Sequence, residues 1–213
     1  MESEPVVCLV DDDPKILRLV SAILGECGIP VRTFATAQQF LDDYRPGTRG
    51  CLLLDIQLPG LSGTDLHERM AADDIDLPVV FLTATADVPT TVTIMKRGAL
   101  DVLQKPFDAD ALVAAVKNAL ARDAANAADA ARRAEVLDRA ARLTPREREV
   151  MNLVVRGMAN KLIARELGLS DRTVEIHRGR VMEKMRADSI AELVRMSMFM
   201  SGGPNAAKPD PEP

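Results

Sequence analysis

Tryptophan is absent from this 213-residue chain, and its aromatic residues number six, five Phe and one Tyr. Any core must therefore be filled by Leu, Val, Ile, Met and Ala, within a hydrophobic share of 47%. Long apolar runs are also missing. The longest are about five residues, far short of the ~20 that a spanning helix needs. The amino-terminal MESEPVV is acidic and lacks the basic-then-apolar order of a secretory signal. These absences predict a cytoplasmic protein with no membrane partner. Cysteine is scarce: Cys8, Cys27 and Cys51 form no CxxC, which excludes a disulfide framework and a zinc site. Cys8 and Cys51 lie inside apolar runs and are expected to be small buried core residues.

Basic residues are few in the front of the chain. Residues 1–121 hold 10 Lys+Arg against 18 Asp+Glu, whereas residues 122–213 hold 17 against 14. An acidic front and a mildly basic back suggest two modules with different partners. Gly and Pro are absent between Ala109 and Leu143, and 11 of residues 119–141 are Ala. That stretch is either a flexible linker or a continuation of the preceding helix, and alanine propensity favours the helix.

What is present in the front module is alternation. VVCLV (6–10), VRTF (31–34), CLLLD (51–55), PVVFLT (78–83) and DVLQ (101–104) read as strands. Helical patterns fall between and after them, over 14–26, 38–44, 63–72, 89–97 and from about 108. The strands are continuously apolar, as expected when both faces of a parallel sheet are covered. The prediction is an α/β fold with five parallel strands and helices on both faces.

Chemistry gathers where the strands end. Asp11, Asp12 and Asp13 follow the first strand, Asp55 ends the third, Thr83 ends the fourth and Lys105 follows the fifth. Open α/β sheets bind ligands beyond the carboxyl ends of their strands at a switch in strand order. If that order is 2-1-3-4-5, Asp11, Asp12 and Asp55 converge, and three close carboxylates require a cation. Oxygen ligands suit Mg²⁺, or Mn²⁺. Asp13 before Pro14 also fits a helix N-cap. A magnesium–carboxylate cluster flanked by an ammonium and a hydroxyl can receive a phosphoryl group, with Asp55 as nucleophile.

The segments VVCLVDDDP, LLLDIQLPGLSG, VVFLTATADV and GALDVLQKPF resemble the receiver domain of bacterial response regulators over about residues 5–121. The resemblance implies a flavodoxin-like doubly wound sheet of order 2-1-3-4-5. It implies Asp55 as phosphoacceptor, and a metal held by Asp11, Asp12, Asp55 and the Gln57 backbone carbonyl. Thr83 becomes the switch hydroxyl, Lys105 the phosphoryl contact, and Lys105-Pro106 a cis peptide. One departure stands out: receivers usually carry Phe or Tyr three residues before the lysine, and here that position is Val102.

Residues 144–200 are helical in pattern. Thr144-Pro-Arg-Glu147 reads as a capping box with Pro at the first helical position. Helices follow over about 145–156, 160–167, 171–186 and from 189, the second and third in helix–turn–helix spacing. In the third, Val174, Val181 and Met185 form a buried stripe, and Arg178, Arg180, Lys184 and Arg186 supply cations. Such a helix can enter a major groove. His177 is expected either to pack under the helix or to donate to a phosphate.

LTPREREVMNLVVRGMANKLIARELGLSDRTVEIHRGRVMEKM resembles the LuxR/FixJ-type DNA-binding domain over about residues 142–199. By that resemblance Glu175, Ile176 and Gly179 face bases, and Lys161, Thr173, Arg178 and Arg180 contact the DNA backbone. Together the modules are identified as a FixJ/NarL-class response regulator, FixJ-like. The organisation expected is a receiver over 1–121, an Ala-rich helical linker over 122–141, an all-α four-helix DNA-binding domain over 142–200 and a disordered tail over 201–213. The function expected is non-enzymatic: a sensor histidine kinase phosphorylates Asp55, and the chain dimerises and binds double-stranded promoter DNA. Regulation, in the sense of activation, would act through RNA polymerase.

Three other readings compete. A phosphohydrolase of the haloacid dehalogenase type needs a second Asp two residues after the nucleophile, where Gln57 stands. A pheromone-binding regulator wants an aromatic-lined pocket that six aromatics do not make. A degenerate, phosphorylation-independent receiver conflicts with the complete Asp/Asp/Asp/Thr/Lys set, while Val102 keeps it in play.

Overall fold

The computed structural model describes residues 4–84 and 88–200. The chain divides into two compact units, Met1–Ala127 and Ala128–Pro213.

The first unit alternates β1 (Val6–Val10), α1 (Pro14–Glu26), β2 (Val31–Phe34), α2 (Ala37–Asp43), β3 (Gly50–Asp55), α3 (Gly63–Ala72), β4 (Val79–Thr83), α4 (Val88–Lys96) and β5 (Asp101–Gln104). All four strand pairings are parallel, in the order β2-β1-β3-β4-β5. The expected order and strand assignments therefore hold, apart from single-residue shifts at the starts of β3 and β4. Alternate side chains take opposite faces of the sheet. Val7, Leu9, Cys51, Leu53, Val80 and Leu82 pack with α1 and with Leu112, Val116 and Ala119 further along the chain. Cys8, Val10, Leu52, Leu54, Val79 and Phe81 pack on the other face with Phe40, Leu66, Met70 and Ile94 of α2, α3 and α4. Cys8 and Cys51 are both buried, as their apolar context predicted.

Local signals set the helix ends. Asp13 caps α1 by accepting from the Lys15 N–H at 2.8 Å, and Pro14 sits at the first helical position. Ser62 caps α3 by accepting from the Asp65 N–H. The stretch rich in Ala is helical: α5 runs unbroken over Ala109–Ala141, and the division between the units falls within it.

The second unit continues with α6 (Pro145–Val155), α7 (Asn160–Leu167), α8 (Asp171–Met185) and α9 (Ile190–Met200). The Thr144/Glu147 capping box is formed in both directions, and Ser170 caps α8 through the Thr173 N–H. Gly168 takes the left-handed conformation that ends α7. Val150, Met151, Ile163, Val174, Val181 and Met185 form the core of this unit. The expected tail over 201–213 lies outside the described residues, and no described helix is long and apolar enough to cross a membrane.

Candidate functional site

Parallel register brings the acidic residues together. Val10 pairs with Leu54, so the next residues, Asp11 and Asp55, leave adjacent strands side by side. One carboxylate oxygen from each of Asp11, Asp12 and Asp55 lies within 4.8 Å of the others. Asp11 is fully buried, Asp55 is 6% exposed and Asp12 is open to solvent. Asp11 Oδ1 accepts from the Asp13 N–H at 2.9 Å. Lys105 Nζ, delivered by the turn after β5, donates to Asp11 Oδ2 at 2.6 Å and lies 3.2 Å from Asp55 Oδ1. The Lys105–Pro106 peptide is cis, and the Lys105 N–H donates to the Thr83 carbonyl at 2.6 Å. Thr83 itself is buried at the end of β4.

The electrostatics follow from this crowding. Burial raises the Asp55 carboxyl above its usual range, the Lys105 charge and hydrogen bond pull it down, and Asp11 raises it again. A hydrogen bond from the Gln57 backbone also lowers it. For Lys105, burial alone would weaken the ammonium, but the hydrogen bond and charge of Asp11, then of Asp55, raise it overall. Three hard oxygen donors on two adjacent strand ends, two buried and one open, fit a divalent cation that keeps water ligands.

Two glycines were not singled out from the sequence. A Cβ on Gly63 would lie 2.0 Å from the Asp55 carbonyl oxygen, and the Gly63 N–H donates to Ile56 at 3.0 Å. The start of α3 thus presses directly on the end of β3. At Gly50 a Cβ would meet the Val6 carbonyl oxygen at 1.8 Å, where β3 runs against β1. Close approach of one backbone to another leaves no mark in a linear sequence.

Val102, at the position usually aromatic, is half-buried and pairs with Phe81 across β4 and β5. The Phe81 ring meets His67 of α3 edge-on, with centroids 5.4 Å apart. Beside it Glu68 of α3 pairs with Arg97 at the end of α4. Val88, Val92 and Met95 of α4 are exposed.

In the second unit, α7 and α8 form the expected helix–turn–helix. Val174, Val181 and Met185 are buried as one stripe. Ile176 is 49% exposed, and Glu175, Gly179, Arg180 and Lys161 are open to solvent. Thr173 is half-buried, its hydroxyl 2.7 Å from that of Ser170. Arg178 donates to the Asn160 side chain on α7. Lys184, counted from sequence among the cations available to DNA, instead turns inward to Glu147 at 2.6 Å. Arg139 and Arg148 likewise donate to backbone carbonyls, of Met185 and Ala140. Part of the basic charge in this half therefore ties helices together.

Comparison with known proteins accords with both units. Residues 7–117 match the response regulator receiver domain, and residues 141–197 match the bacterial regulatory proteins of the luxR family. The transcriptional regulatory protein FixJ of Azorhizobium caulinodans is 42% identical over 203 residues, 95% of this chain and 96% of that one. Nodulation protein W of Bradyrhizobium diazoefficiens is 41% identical over 92% of this chain and 86% of its own. Among solved structures, the response regulator StyR aligns with a TM-score of 0.78 at 38% identity, covering 92% of this chain and 98% of StyR. Full-length FixJ from B. japonicum aligns at 0.57 and 39%, over 93% and 98%. With a receiver at one end and a LuxR-type helix–turn–helix at the other, the chain belongs to the two-component response regulators that control transcription, in the group that includes FixJ.

Proposed function

We propose that Asp55 accepts a phosphoryl group from the phosphohistidine of a sensor histidine kinase. An Asp55 carboxylate oxygen forms the new P–O bond as the P–N bond breaks, and the departing imidazole takes a proton from solvent. The observation that carries this reading is the Asp55 carboxylate itself, on a buried side chain at the end of the central strand between Lys105 and two further carboxylates. Asp11, Asp12, Asp55 and the Gln57 carbonyl would hold Mg²⁺ or Mn²⁺. Such a cation neutralises charge on the transferring phosphoryl oxygens. Lys105 adds a second positive charge at the same place, and Thr83 supplies a hydroxyl to one phosphoryl oxygen.

Residues 1–121 would serve as receiver, 122–141 as linker and 142–200 as DNA-binding domain, with 201–213 a tail. Glu175, Ile176 and Gly179 would face bases, and Lys161, Thr173, Arg178 and Arg180 the backbone of promoter DNA. Phosphorylation adds roughly two negative charges at Asp55. It can favour one arrangement of α4 and β5 only through differential affinity for it. The exposed Val88, Val92 and Met95 fit a face that pairs two copies. The active species would then be a cytoplasmic dimer that activates transcription with RNA polymerase. A second reading, regulation without phosphorylation, draws on Val102 alone.

Incubation with acetyl phosphate and Mg²⁺, followed by intact-mass spectrometry, tests the proposal. The wild-type chain gains one phosphoryl group and Asp55→Asn gains none, while Asp12→Ala needs more Mg²⁺. Undiminished labelling of Asp55→Asn would overturn the assignment. In sedimentation velocity the labelled chain doubles in mass, and Val92→Asp prevents it.

A further inference from the structure

We propose that Arg139 of α5 is a positioning residue for DNA recognition, acting through its hold on the carboxyl end of α8. The inference deepens the reading of α8 as the groove helix and rests on it.

The last carbonyls of a helix have no partner inside it and carry the negative end of its dipole. Here α5 and α8 supply that partner to each other. Arg139, in the last turn of α5, donates from Nη1 to the carbonyl of Met185, the last residue of α8, at 3.1 Å. Lys184, in the last turn of α8, donates from Nζ to the carbonyl of Arg142, just past α5, at 3.3 Å. Alongside these two bonds Val136, Ala140 and Leu143 share one core with Val181 and Met185.

Arg139 is also set from its own helix, where Nη2 donates to Glu135 one turn back. Both Nη atoms are thus engaged within the second unit, and the side chain is 17% exposed. That places Arg139 among the groups that hold α8 rather than those that meet DNA. Lys184 also holds Glu147 at 2.6 Å, so its removal would disturb the start of α6 as well. Arg139 is the cleaner probe of the two.

Distance along the helix turns this hold into specificity. At 1.5 Å per residue, Gly179 stands about 9 Å and Ile176 about 14 Å from Met185. A tilt of about 5° about the held end displaces Ile176 by about 1 Å. Recognition groups need placement to about 0.5 Å. Contacts with base edges are lost over such a shift, whereas Lys and Arg on long stems can follow a phosphate. Loss of the hold therefore falls on discrimination among sequences, not on general affinity.

The experiment uses the full chain and two duplexes of equal length, one selected by the wild-type chain from a random pool and one unselected. Affinities are measured across a salt series, with thermal unfolding of each variant alongside. Arg139→Met keeps the apolar stem and removes both hydrogen bonds. It is expected to lower the ratio of affinities for the two duplexes about tenfold, the scale of one base contact. Binding to the unselected duplex and its salt slope should not change. Arg139→Lys, which keeps a donor toward the Met185 carbonyl, should recover most of the ratio. Arg180→Ala should instead weaken both duplexes and flatten the slope by about 0.9.

An unchanged ratio in Arg139→Met, or an Arg139→Lys that recovers nothing, would overturn the positioning role. So would a flattened slope, which would make Arg139 itself a phosphate contact. Equal weakening on both duplexes, in step with a lowered unfolding midpoint, would reduce the bond to helix stability alone. A wild-type chain that binds neither duplex would overturn the groove-helix reading itself.

Discussion

Lys184 on α8 donates to Glu147 at 2.6 Å, and the same carboxylate closes the capping box that starts α6. One buried glutamate thus sets the end of one helix and the position of another. The hydrogen bond from Lys184 is the largest cause holding the Glu147 carboxyl down at about 2. The Thr144 hydrogen bonds act in the same direction, against burial.

A carboxyl depressed in the folded state stabilises it above the unfolded carboxyl's range, and that stabilisation disappears as pH falls through the folded value. The second unit should therefore lose stability between about pH 4.5 and about 2. Glu147→Gln should cost about 2 kcal/mol at pH 7, with its deficit shrinking through that window. Thermal unfolding of the two chains at pH 7, 4.5 and 3 measures it; a deficit constant with pH would refute the ion pair as its source.

Gly63→Ala should disturb the proposed phosphorylation site without touching any of its side chains. The added Cβ would lie 2.0 Å from the Asp55 carbonyl oxygen, so β3 or α3 must shift. A cost of about 1–3 kcal/mol is expected, together with slower labelling by acetyl phosphate. Equal labelling rates and equal unfolding midpoints would show that the strand end yields freely.

At Gly179 the expected sign is opposite. A Cβ there meets nothing within 4 Å in the protein, and Ala is about 1 kcal/mol better than Gly in a helix interior. Gly179→Ala should raise the unfolding temperature of the second unit while weakening DNA binding, because the methyl group would enter the space proposed for bases. Tighter or unaltered binding by the stabilised variant would remove Gly179 from that surface.

Thiol reactivity should separate the three cysteines. Burial pushes Cys8 up to about 11 and Cys51 up to about 12, and the thiolate is the reactive form. Cys27 is exposed. Iodoacetamide at pH 8 should modify Cys27 alone in the folded chain and all three in denaturant. Peptide mapping that found Cys8 or Cys51 modified without denaturant would contradict the packing of β1 and β3.

The strands, the caps at Asp13 and Thr144, and the row of strand-end residues Asp11, Asp12, Asp55, Thr83 and Lys105 are legible in the linear chain. These are local features: alternation between strand and helix, a side chain that can reach its own backbone, and residues that follow an apolar run. It also marked Val174, Val181 and Met185, because a buried helix face repeats at 3.6 residues. Tertiary structure alone decided the rest. Whether Asp11 lies beside Asp55 depends on strand order and register, which no single segment encodes. Gly63 matters only because α3 returns to press on the end of β3. Lys184 reads like any other cation on α8 until α6 brings Glu147 beneath it, and only packing of the second unit buries Nδ1 of His177 without a partner. Each of these contacts joins residues distant in the chain, so its energy depends on a geometry that exists only once the domain has folded.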